Sequence, residues 1–381
     1  MPVAKETVNI LGTRGIPAKH GGFETFAENL ALYLVNKGWT VNVYCQDDTG
    51  TSRDGTVTQW KGVNLIHFGT TRQGPVGTMD FDLKCARHVL TLDGVDLVLG
   101  YNTAIFNVLQ RLRGRRVIMN MDGIEWKRQK WSLPAKIWFF INEVIGANLC
   151  HVAVADHPGI AAHVRRRCFK KPVIIPYGAP LVTTADAPPL GLTPDRYFVS
   201  IARIEPENSI LELVQAAASL PPDFPVVILG KLDDANPYHQ RVKAAAGANV
   251  MFPGAIYDSA QVASLRLHAR AYLHGHQVGG TNPSLVEALG AGNAVLAHDN
   301  KFNRWTTDNA QFYFSSADSC ASLMKQLVTD DAAVHAARAA ARAQHAAKFI
   351  WEDVLSAYTE VLLENPKKTA VSPTIAKWAE V

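Results

Sequence analysis

Short apolar runs rich in β-branched residues alternate with helical patterns along the whole chain. The first such run, residues 8–11 (VNIL), predicts a buried strand that leads into a glycine-rich loop. The segment after the loop has helical periodicity, carried by Phe23, Phe26, Ala27, Leu30 and Leu34. This alternation is typical of layered α/β folds, because parallel strands are joined through crossover helices.

The pattern occurs twice. Strands of a first sheet are predicted at VNIL, VNVYC, VNLIHF, DLVLG, RVIMNM, HVAVA and PVIIP. Residues 177–194 are rich in Pro, Gly, Ala and Thr and predict a hinge between domains. Strands of a second sheet are predicted at YFVSIA, PVVILG, NVMFPG, AYLHG and AVLAH. We therefore expect two α/β domains with a cleft between them.

The domain boundaries follow from these elements. We expect a first domain over 1–180 and a second over 181–349, with a helix at 332–348. A further helix at 350–365 has one apolar stripe and is expected to pack back on the first domain, and 366–381 is expected to be a loose tail.

Composition narrows the class of protein. A chain of 381 residues is longer than one hydrophobic core usually organises, so two domains are expected. A content of 48% hydrophobic and 19% charged residues is typical of a globular protein. The five cysteines show no C-x-x-C spacing, which fits a reducing cytoplasm. The sequence shows no signal peptide and no run of about 20 apolar residues, so neither export nor a membrane span is predicted.

The net charge of +4 hides an asymmetry, because residues 1–180 carry +8 and the rest −4. Basic clusters lie at 111–116, 127–130 and 165–171. They are interpreted either as solvated helix faces or as a surface for an anionic membrane or a phosphate-bearing acceptor. Nucleic acid is disfavoured, because no recognisable nucleic-acid-binding motif accompanies the clusters.

Two glycine-rich segments follow predicted strands. The loop 12–22 (GTRGIPAKHGG) precedes a helix, and its amides together with the amino end of that helix could bind a phosphate. The loop matches neither the Walker A nor the dinucleotide-binding pattern. In the alternative interpretation, its glycines only permit a tight turn. In 274–299, Asn282 is predicted to cap a helix and Pro283 to begin it. Free amides near Ser284 would bind a diphosphate, and Glu287 would accept hydrogen bonds from a ribose or only complement the helix dipole.

The segment 274–299 resembles the nucleotide-sugar motif of the retaining GT-B glycosyltransferases called family four. The strings GTRGIPAKHGGFETF, MDGIEWKRQKW and GGTNPSLVEALGAG look like its rhamnosyltransferase-like branch. The resemblance covers nearly the whole chain. It implies the α/β GT-B fold, with two Rossmann-like, doubly wound parallel-sheet domains facing across a cleft.

The resemblance also implies the site residues. The donor would be held by Gly21, Gly22, Arg203, Lys231, Gly279, Gly280, Thr281, Asn282, Ser284, Leu285 and Glu287. The Arg203 guanidinium would bind the leaving diphosphate bidentately. In the alternative interpretation, Arg203 only forms an ion pair with Glu205 or Glu207. Two positions depart from the family pattern, because its first glutamate falls on Gly279 and its lysine on Asn208.

Asp122 follows a predicted strand of the first domain, where the family has a polar active-site residue. With Arg203 and Glu287 it completes the predicted catalytic set. Glu125, Trp126 and Arg128 would bind the acceptor. In the alternative interpretation, Asp122 and Gly123 form a turn and Trp126 belongs to the core.

No metal and no other cofactor is predicted. The D-x-D string at Asp80 and Asp82 is interpreted as the cap of a helix beginning at Leu83, and His274 and His276 are interpreted as structural.

The resemblance implies a retaining, metal-independent hexosyl transfer in polysaccharide biosynthesis. The donor would be a dTDP-, UDP- or GDP-linked sugar, rhamnose or another hexose, and the acceptor a cell-surface or lipid-linked glycan at the inner face of the cell membrane. The alternatives are a sugar-nucleotide epimerase or phosphorylase on the same scaffold, a dinucleotide oxidoreductase and a non-catalytic binding protein.

Overall fold

A computed structural model describes residues 6–19, 21–49, 53–70, 72, 74–128, 130–363 and 373–378. The chain divides into two compact units. The first unit comprises Met1–Pro176 and Glu352–Val381, and the second comprises Tyr177–Trp351.

Within the described residues, the first unit contains an eight-stranded sheet with the order β3-β4-β2-β1-β5-β6-β7-β8. All neighbours are parallel except β3 and β4. Central strands such as β1 and β5 are buried on both faces, and their buried residues are apolar except for Asn9 and Asp96, as is typical of parallel strands covered by helices. The strands are β1 (Thr7–Leu11), β2 (Thr40–Asp47), β3 (Thr56–Trp60), β4 (Val63–Gly69), β5 (Val95–Leu99), β6 (Val117–Asn120), β7 (Val152–Ala155) and β8 (Val173–Ile174).

The second unit contains a parallel sheet of six strands with the order β11-β10-β9-β12-β13-β14 over the residues described. All predicted strands of both sheets are present, whereas the edge strands β3 and β14 were not predicted. The strands are β9 (Phe198–Ile201), β10 (Val226–Leu229), β11 (Val250–Gly254), β12 (Ala271–His274), β13 (Val295–His298) and β14 (Phe312–Phe314).

Helices connect the strands in both units. They are α1 (Gly22–Asn36), α2 (Gly74–His88), α3 (Val108–Leu112), α4 (Leu133–Leu149), α5 (Pro158–Arg165), α6 (Ile210–Ala217), α7 (Pro237–Ala245), α8 (Ser259–Leu267), α9 (Pro283–Gly290), α10 (Lys301–Thr306), α11 (Ala317–Thr329), α12 (Asp331–Lys348), α13 (Trp351–Leu363) and α14 (Pro373–Ala376). Among the described residues, none of these helices is both long and apolar enough to cross a bilayer.

Strand order locates the candidate sites. Going outward from β1, the chain runs to β2 on one side and to β5 on the other, and β9 stands in the same way between β10 and β12. In open α/β sheets, ligands bind outside the carboxyl ends of the strands at such switch points. Each unit therefore has one favoured edge for a ligand, beyond β1 and β5 and beyond β9 and β12.

The C-terminal segment differs in part from its prediction. Helix α13 occupies the predicted position, and from Glu352 onward it belongs to the first unit, where Tyr358 lies 4.5 Å from Phe26 between ring centroids. Residues 373–378 do not form the predicted loose tail, because Ile375 and Trp378 are buried. The predicted tail at 366–372 and 379–381 lies outside the described residues.

The helix that was predicted to begin at Leu83 begins at Gly74. Asp80 and Asp82 therefore lie inside α2, and the interpretation of this pair as a helix cap is wrong. Asp82 instead accepts a hydrogen bond from the Thr103 hydroxyl at 2.7 Å.

A chain of buried polar side chains crosses the first sheet. Asn42 donates to Asn9 at 2.8 Å, and Asn9 donates to Asp96 at 3.0 Å. The fully buried Asp96 also pairs with Arg115, whose side chain is one-tenth exposed, at 2.6 Å. Each member is satisfied by the next, as buried polar groups must be.

We expect Asp96→Ala to lower the free energy of unfolding by about 3–5 kcal/mol, because it leaves the Arg115 guanidinium buried without its carboxylate. Urea denaturation measures the loss. The exposed Asp93 supplies the control, since Asp93→Ala should change stability by less than about 0.5 kcal/mol. Equal effects of the two substitutions would show that the buried pair does not stabilise the sheet.

Candidate functional site

The amino end of α9 is fixed by its predicted cap. The side chain of Asn282 accepts a hydrogen bond from the backbone N–H of Ser284 at 3.0 Å. The N–H of Leu285 also has a partner, the Asn282 carbonyl at 3.1 Å. The expectation of free amides at Ser284 is therefore wrong, because the cap occupies them. The amides of Gly279 and Gly280 remain the candidates for a diphosphate.

Hydrogen bonds join the loop after β9 to the loop after β12. The Ser209 hydroxyl donates to the Gly275 carbonyl at 2.8 Å, and the Gln277 side chain donates to the same hydroxyl at 3.0 Å. The Gln277 N–H donates to the Glu207 carbonyl at 2.9 Å. The loop after β12, which contains Gly279 and Gly280, is thus held at the switch point of the second sheet. Gly279 has φ +130°, which side-chain-bearing residues rarely adopt.

Arg203 and Lys231 follow neighbouring strands at matching positions. Ile201 of β9 pairs with Leu229 of β10, and each cation lies two residues beyond its member of that pair. Lys231 is exposed. The Arg203 side chain is 63% exposed and contacts Glu205 at 3.3 Å. An exposed ion pair of this kind stabilises by at most about 1 kcal/mol, so an anionic ligand can displace it.

Asn208 occupies the position where the family that the sequence resembles has a lysine. It is buried, and its side-chain amide donates to the Arg203 carbonyl at 2.8 Å. Asn208 therefore fixes the backbone that carries Arg203 instead of offering a second charge.

Glu287 has a partner that the sequence did not predict. Its carboxylate lies 2.5 Å from the guanidinium of Arg266, which is buried in α8 and also donates to the Ser284 hydroxyl at 3.1 Å. The Ser284 hydroxyl further contacts the Tyr272 hydroxyl at 2.6 Å. Arg266 holds one face of the Glu287 carboxylate, whose side chain stays 27% exposed.

Imidazole rings lie at the carboxyl ends of β12 and β13. His274 is fully buried, its ring stacks on His276 with 4.4 Å between centroids, and its nitrogens have no hydrogen-bond partner among the described residues. Burial lowers the pKa of His274 well below its ordinary value, so the ring is neutral. Across the described part of the chain, no three histidine, cysteine or carboxylate side chains are grouped so that they could hold a metal ion.

Asp122 lies directly beyond β6 in the first unit, in a turn with positive φ. Its φ of +53° is uncommon for a residue with a side chain, and such backbone strain is often found at functional sites. Its N–H donates to Asn120 at 2.9 Å, and Asn120 donates to the Tyr358 hydroxyl at 2.8 Å. Burial, and next the charge of Glu125, raise the pKa of Asp122.

The predicted acceptor residues all have partners within the first unit. Glu125 is buried and binds Arg128 at 2.8 Å. The indole N–H of the half-buried Trp126 donates to Glu143 at 2.9 Å. The Tyr101 hydroxyl joins the Gly123 carbonyl to the Glu125 N–H at 3.0 and 2.8 Å. These contacts fix the loop after Asp122, and a direct contact with an acceptor remains a prediction.

A cavity of about 280 Å³ opens at the carboxyl ends of β1 and β5. The sequence did not predict its polar side chains. Asp82 and Thr103 face it as a hydrogen-bonded pair, and the amide nitrogen of the buried Asn107 has no hydrogen-bond partner in the described structure. Arg14 and Glu24 also line the cavity. Burial raises the pKa of Asp82 to about 6.

The glycine loop after β1 forms one wall of this cavity. Gly12 has φ +80°, and an added Cβ would lie 2.2 Å from the Leu99 carbonyl, so only glycine fits against β5. Gly21 precedes the first residue of α1, Gly22, without a side-chain cap. His20 lies outside the described residues.

Two family models match the chain. Residues 5–180 match a model described as Domain of unknown function (DUF1972), and residues 183–344 match Glycosyl transferases group 1. A search of curated proteins found no match. The second unit thus contains a group 1 glycosyltransferase domain.

Solved structures share the whole fold at low identity. Sucrose-phosphate synthase from Thermosynechococcus elongatus is 17% identical with a TM-score of 0.75, over 94% of this chain and 98% of that chain. HepE from Anabaena, solved in complex with UDP, is 15% identical with a TM-score of 0.70, over 94% and 99%. A glycosyltransferase from Rickettsia africae is 14% identical with a TM-score of 0.68, over 97% and 100%. The predicted GT-B fold class is confirmed.

Asp82 gives a pH-dependent prediction. Because its pKa is raised in the folded protein, this carboxyl destabilises the fold as the pH rises above the unfolded value of about 4 toward about 6. Relative to the wild type, Asp82→Asn should therefore be more stable at about pH 7.5 than at about pH 4, by about 1–3 kcal/mol.

Chemical denaturation at the two pH values measures this difference for Asp82→Asn, and Asp80→Asn on the same helix serves as the control. A difference that does not change with pH would show that the pKa of Asp82 is not raised in the folded protein.

Proposed function

We propose that this protein is a retaining hexosyltransferase that moves rhamnose or another hexose from a nucleoside-diphosphate donor to a cell-surface or lipid-linked glycan. The observation that carries the proposal is the site in the second unit, where the loops after β9 and β12 are hydrogen-bonded together beside the amino end of α9. This site belongs to a group 1 glycosyltransferase domain.

The donor is assigned to that site by its chemistry. The amides of Gly279 and Gly280 and the side chains of Arg203 and Lys231 provide hydrogen-bond donors and positive charge for a diphosphate. Glu287 accepts hydrogen bonds from the ribose. The complexes of HepE with UDP and with UDP and glucose support a nucleotide-sugar donor of this class.

The acceptor is assigned to the first unit. The cavity beside β1 and β5 presents the Asp82 carboxylate, the Thr103 hydroxyl and the unpaired amide of Asn107, which suit the hydroxyl groups of a sugar. Asp122 would bind a sugar hydroxyl, and the loop that contains Glu125, Trp126 and Arg128 belongs to the same unit. A lipid-linked glycan places the enzyme at the inner face of the cell membrane.

The mechanism follows from the charges available. The acceptor oxygen bonds to the anomeric carbon on the face from which the diphosphate leaves, and its proton passes to the departing phosphate oxygen. Arg203 and the backbone amides of Gly279 and Gly280 stabilise the charge that develops on that phosphate. Gly279 stands where the family has a glutamate, so this loop offers no carboxylate that could act as a nucleophile. The residues assigned to the reaction require no metal ion.

We expect Glu287→Gln to weaken binding of the nucleoside diphosphate by about 1.5–3 kcal/mol, because the ribose loses a charged acceptor. Thermal-shift titration with UDP, GDP, dTDP and ADP identifies the ligand and then measures the variant. Asp318→Asn, an exposed carboxylate of the same unit, is the control. Undiminished affinity in Glu287→Gln would remove Glu287 from the donor site.

Because the substitution also releases Arg266, the midpoint of unfolding without ligand is measured in parallel. If Glu287→Gln loses as much free energy of unfolding without ligand as it loses in binding free energy, the broken Arg266 pair, and not ribose binding, explains the weaker binding.

Arg203→Lys should lower kcat by about tenfold or more, since an ammonium cannot reproduce the guanidinium fork on a diphosphate. Arg196 supplies a matched control, because it is similarly exposed at 57% and also contacts one carboxylate. A change in turnover below about twofold in Arg203→Lys, equal to that of Arg196→Lys, would assign Arg203 to a surface ion pair.

A further inference from the structure

Helix α4 presents apolar side chains to solvent. Leu133, Ile137 and Ile141 are 71%, 52% and 44% exposed, and their spacing of four residues places them on one face. The opposite face, with Asn142, Glu143, Gly146 and Ala147, is buried. A surface helix of a globular domain usually has its polar face outward, so this outward apolar stripe requires an explanation.

Phe169 extends the stripe beyond the end of α4. It is fully exposed, and its N–H donates to the Asn148 side chain at 3.3 Å. Asn148 lies seven residues after Ile141, two turns further along the same face. We call Leu133, Ile137, Ile141 and Phe169 the apolar stripe.

Positive charge surrounds the apolar stripe. Between residues 127 and 171 the sequence has nine lysines and arginines and only two carboxylates, Glu143 and Asp156. Glu143 is buried and contacts His163 at 3.0 Å and Arg167 at 3.5 Å, and Asp156 is half-buried. The exposed charges of this segment within the described residues are therefore all positive: Lys127, Lys130, Arg165, Arg166, Lys170 and Lys171.

The other basic cluster of the first unit has a different role. Arg115 pairs with the buried Asp96, and Arg116 donates to the Val361 carbonyl at 2.8 Å. The cluster at 111–116 thus contributes to the fold, and Arg128 and Arg167 pair with the buried Glu125 and Glu143. The six exposed cations named above remain at the surface beside α4.

We propose that the apolar stripe docks the first unit on an anionic lipid bilayer, with α4 lying in the plane of the interface. Apolar side chains would enter the boundary between headgroups and acyl chains, while the surrounding cations contact lipid phosphates. A second copy of the chain fits this surface poorly, because two such faces would repel each other. Nucleic acid offers nothing to cover the aliphatic side chains.

The docking surface uses none of the residues assigned to donor or acceptor. Its value for catalysis rests on the proposed function, since a bilayer that carries a lipid-linked glycan would be brought to the unit assigned to the acceptor. Docking itself is measured without any transfer reaction.

The test is co-sedimentation of the full chain with vesicles of phosphatidylcholine alone or mixed with phosphatidylglycerol, at low and high ionic strength. We expect preferential binding to the anionic vesicles. The double variant Ile137→Ser, Phe169→Ser should bind the anionic vesicles at least about tenfold more weakly, since each substitution removes an apolar contact with the bilayer. Val57→Ser is the control, because Val57 is 55% exposed on β3 and lies outside the apolar stripe.

Binding that falls with salt in the wild type, and falls further in the double variant than in the control, supports the proposal. Wild-type affinity in the double variant, equal binding to neutral vesicles, or a solution dimer that the double variant loses would each overturn it. Nucleoside-diphosphate binding is measured on the same samples. If no nucleotide binds to any of them, the proposed function fails, and the docking result stands by itself.

Discussion

Backbone groups that leave the sheet at the carboxyl ends of parallel strands need new partners, and the second unit meets this constraint with side chains from adjacent loops. Ser209 donates to the Gly275 carbonyl, and Asn300 and Asn303 both donate to the His276 carbonyl at 2.9 Å. The loops after β9, β12 and β13 are thereby joined into one edge. The positions of Arg203 and Gly279 depend on these bonds, because Arg203 lies in the loop after β9 and Gly279 in the loop after β12, which leads into α9.

These loop contacts give a physical reason for the two positions that depart from the pattern of the family that the sequence resembles. Asn208 donates to the Arg203 carbonyl, so its amide contributes to positioning where a lysine would contribute charge. Gly279 adopts a φ that disfavours a side chain, and no atom of a residue that the structure describes, apart from its chain neighbours, lies within 4 Å of an added Cβ. Under the proposed function, both changes leave the binding of the leaving group to Arg203, Lys231 and the loop amides.

Much of the fold could be predicted because the signals are local. Apolar runs of four to eight residues located the central strands, and the sequence Asn282–Pro283 located the start of α9. The edge strand β3 was missed because its residues are exposed and carry no apolar pattern. Similarly, no local signal announced that α2 would begin at Gly74 instead of Leu83, which placed Asp82 in a cavity wall.

The site was predicted less completely, because several of its contacts join distant parts of the chain. Arg266 reaches Glu287 from another helix, and Asn107 reaches the cavity beside Asp82 from the segment after β5. Nothing in the local sequence of either residue marks it as part of a site. The cap at Asn282 was predicted, but its consequence, that it occupies the Ser284 amide, required the geometry.

The most direct measurement of the central claim is nuclear magnetic resonance of the reaction mixture, followed from a nucleotide sugar and a glycan acceptor. We expect a new glycosidic bond with the anomeric configuration of the donor, together with release of the nucleoside diphosphate. An inverted anomeric centre, or a donor that is hydrolysed or isomerised without any bond to the acceptor, would contradict it.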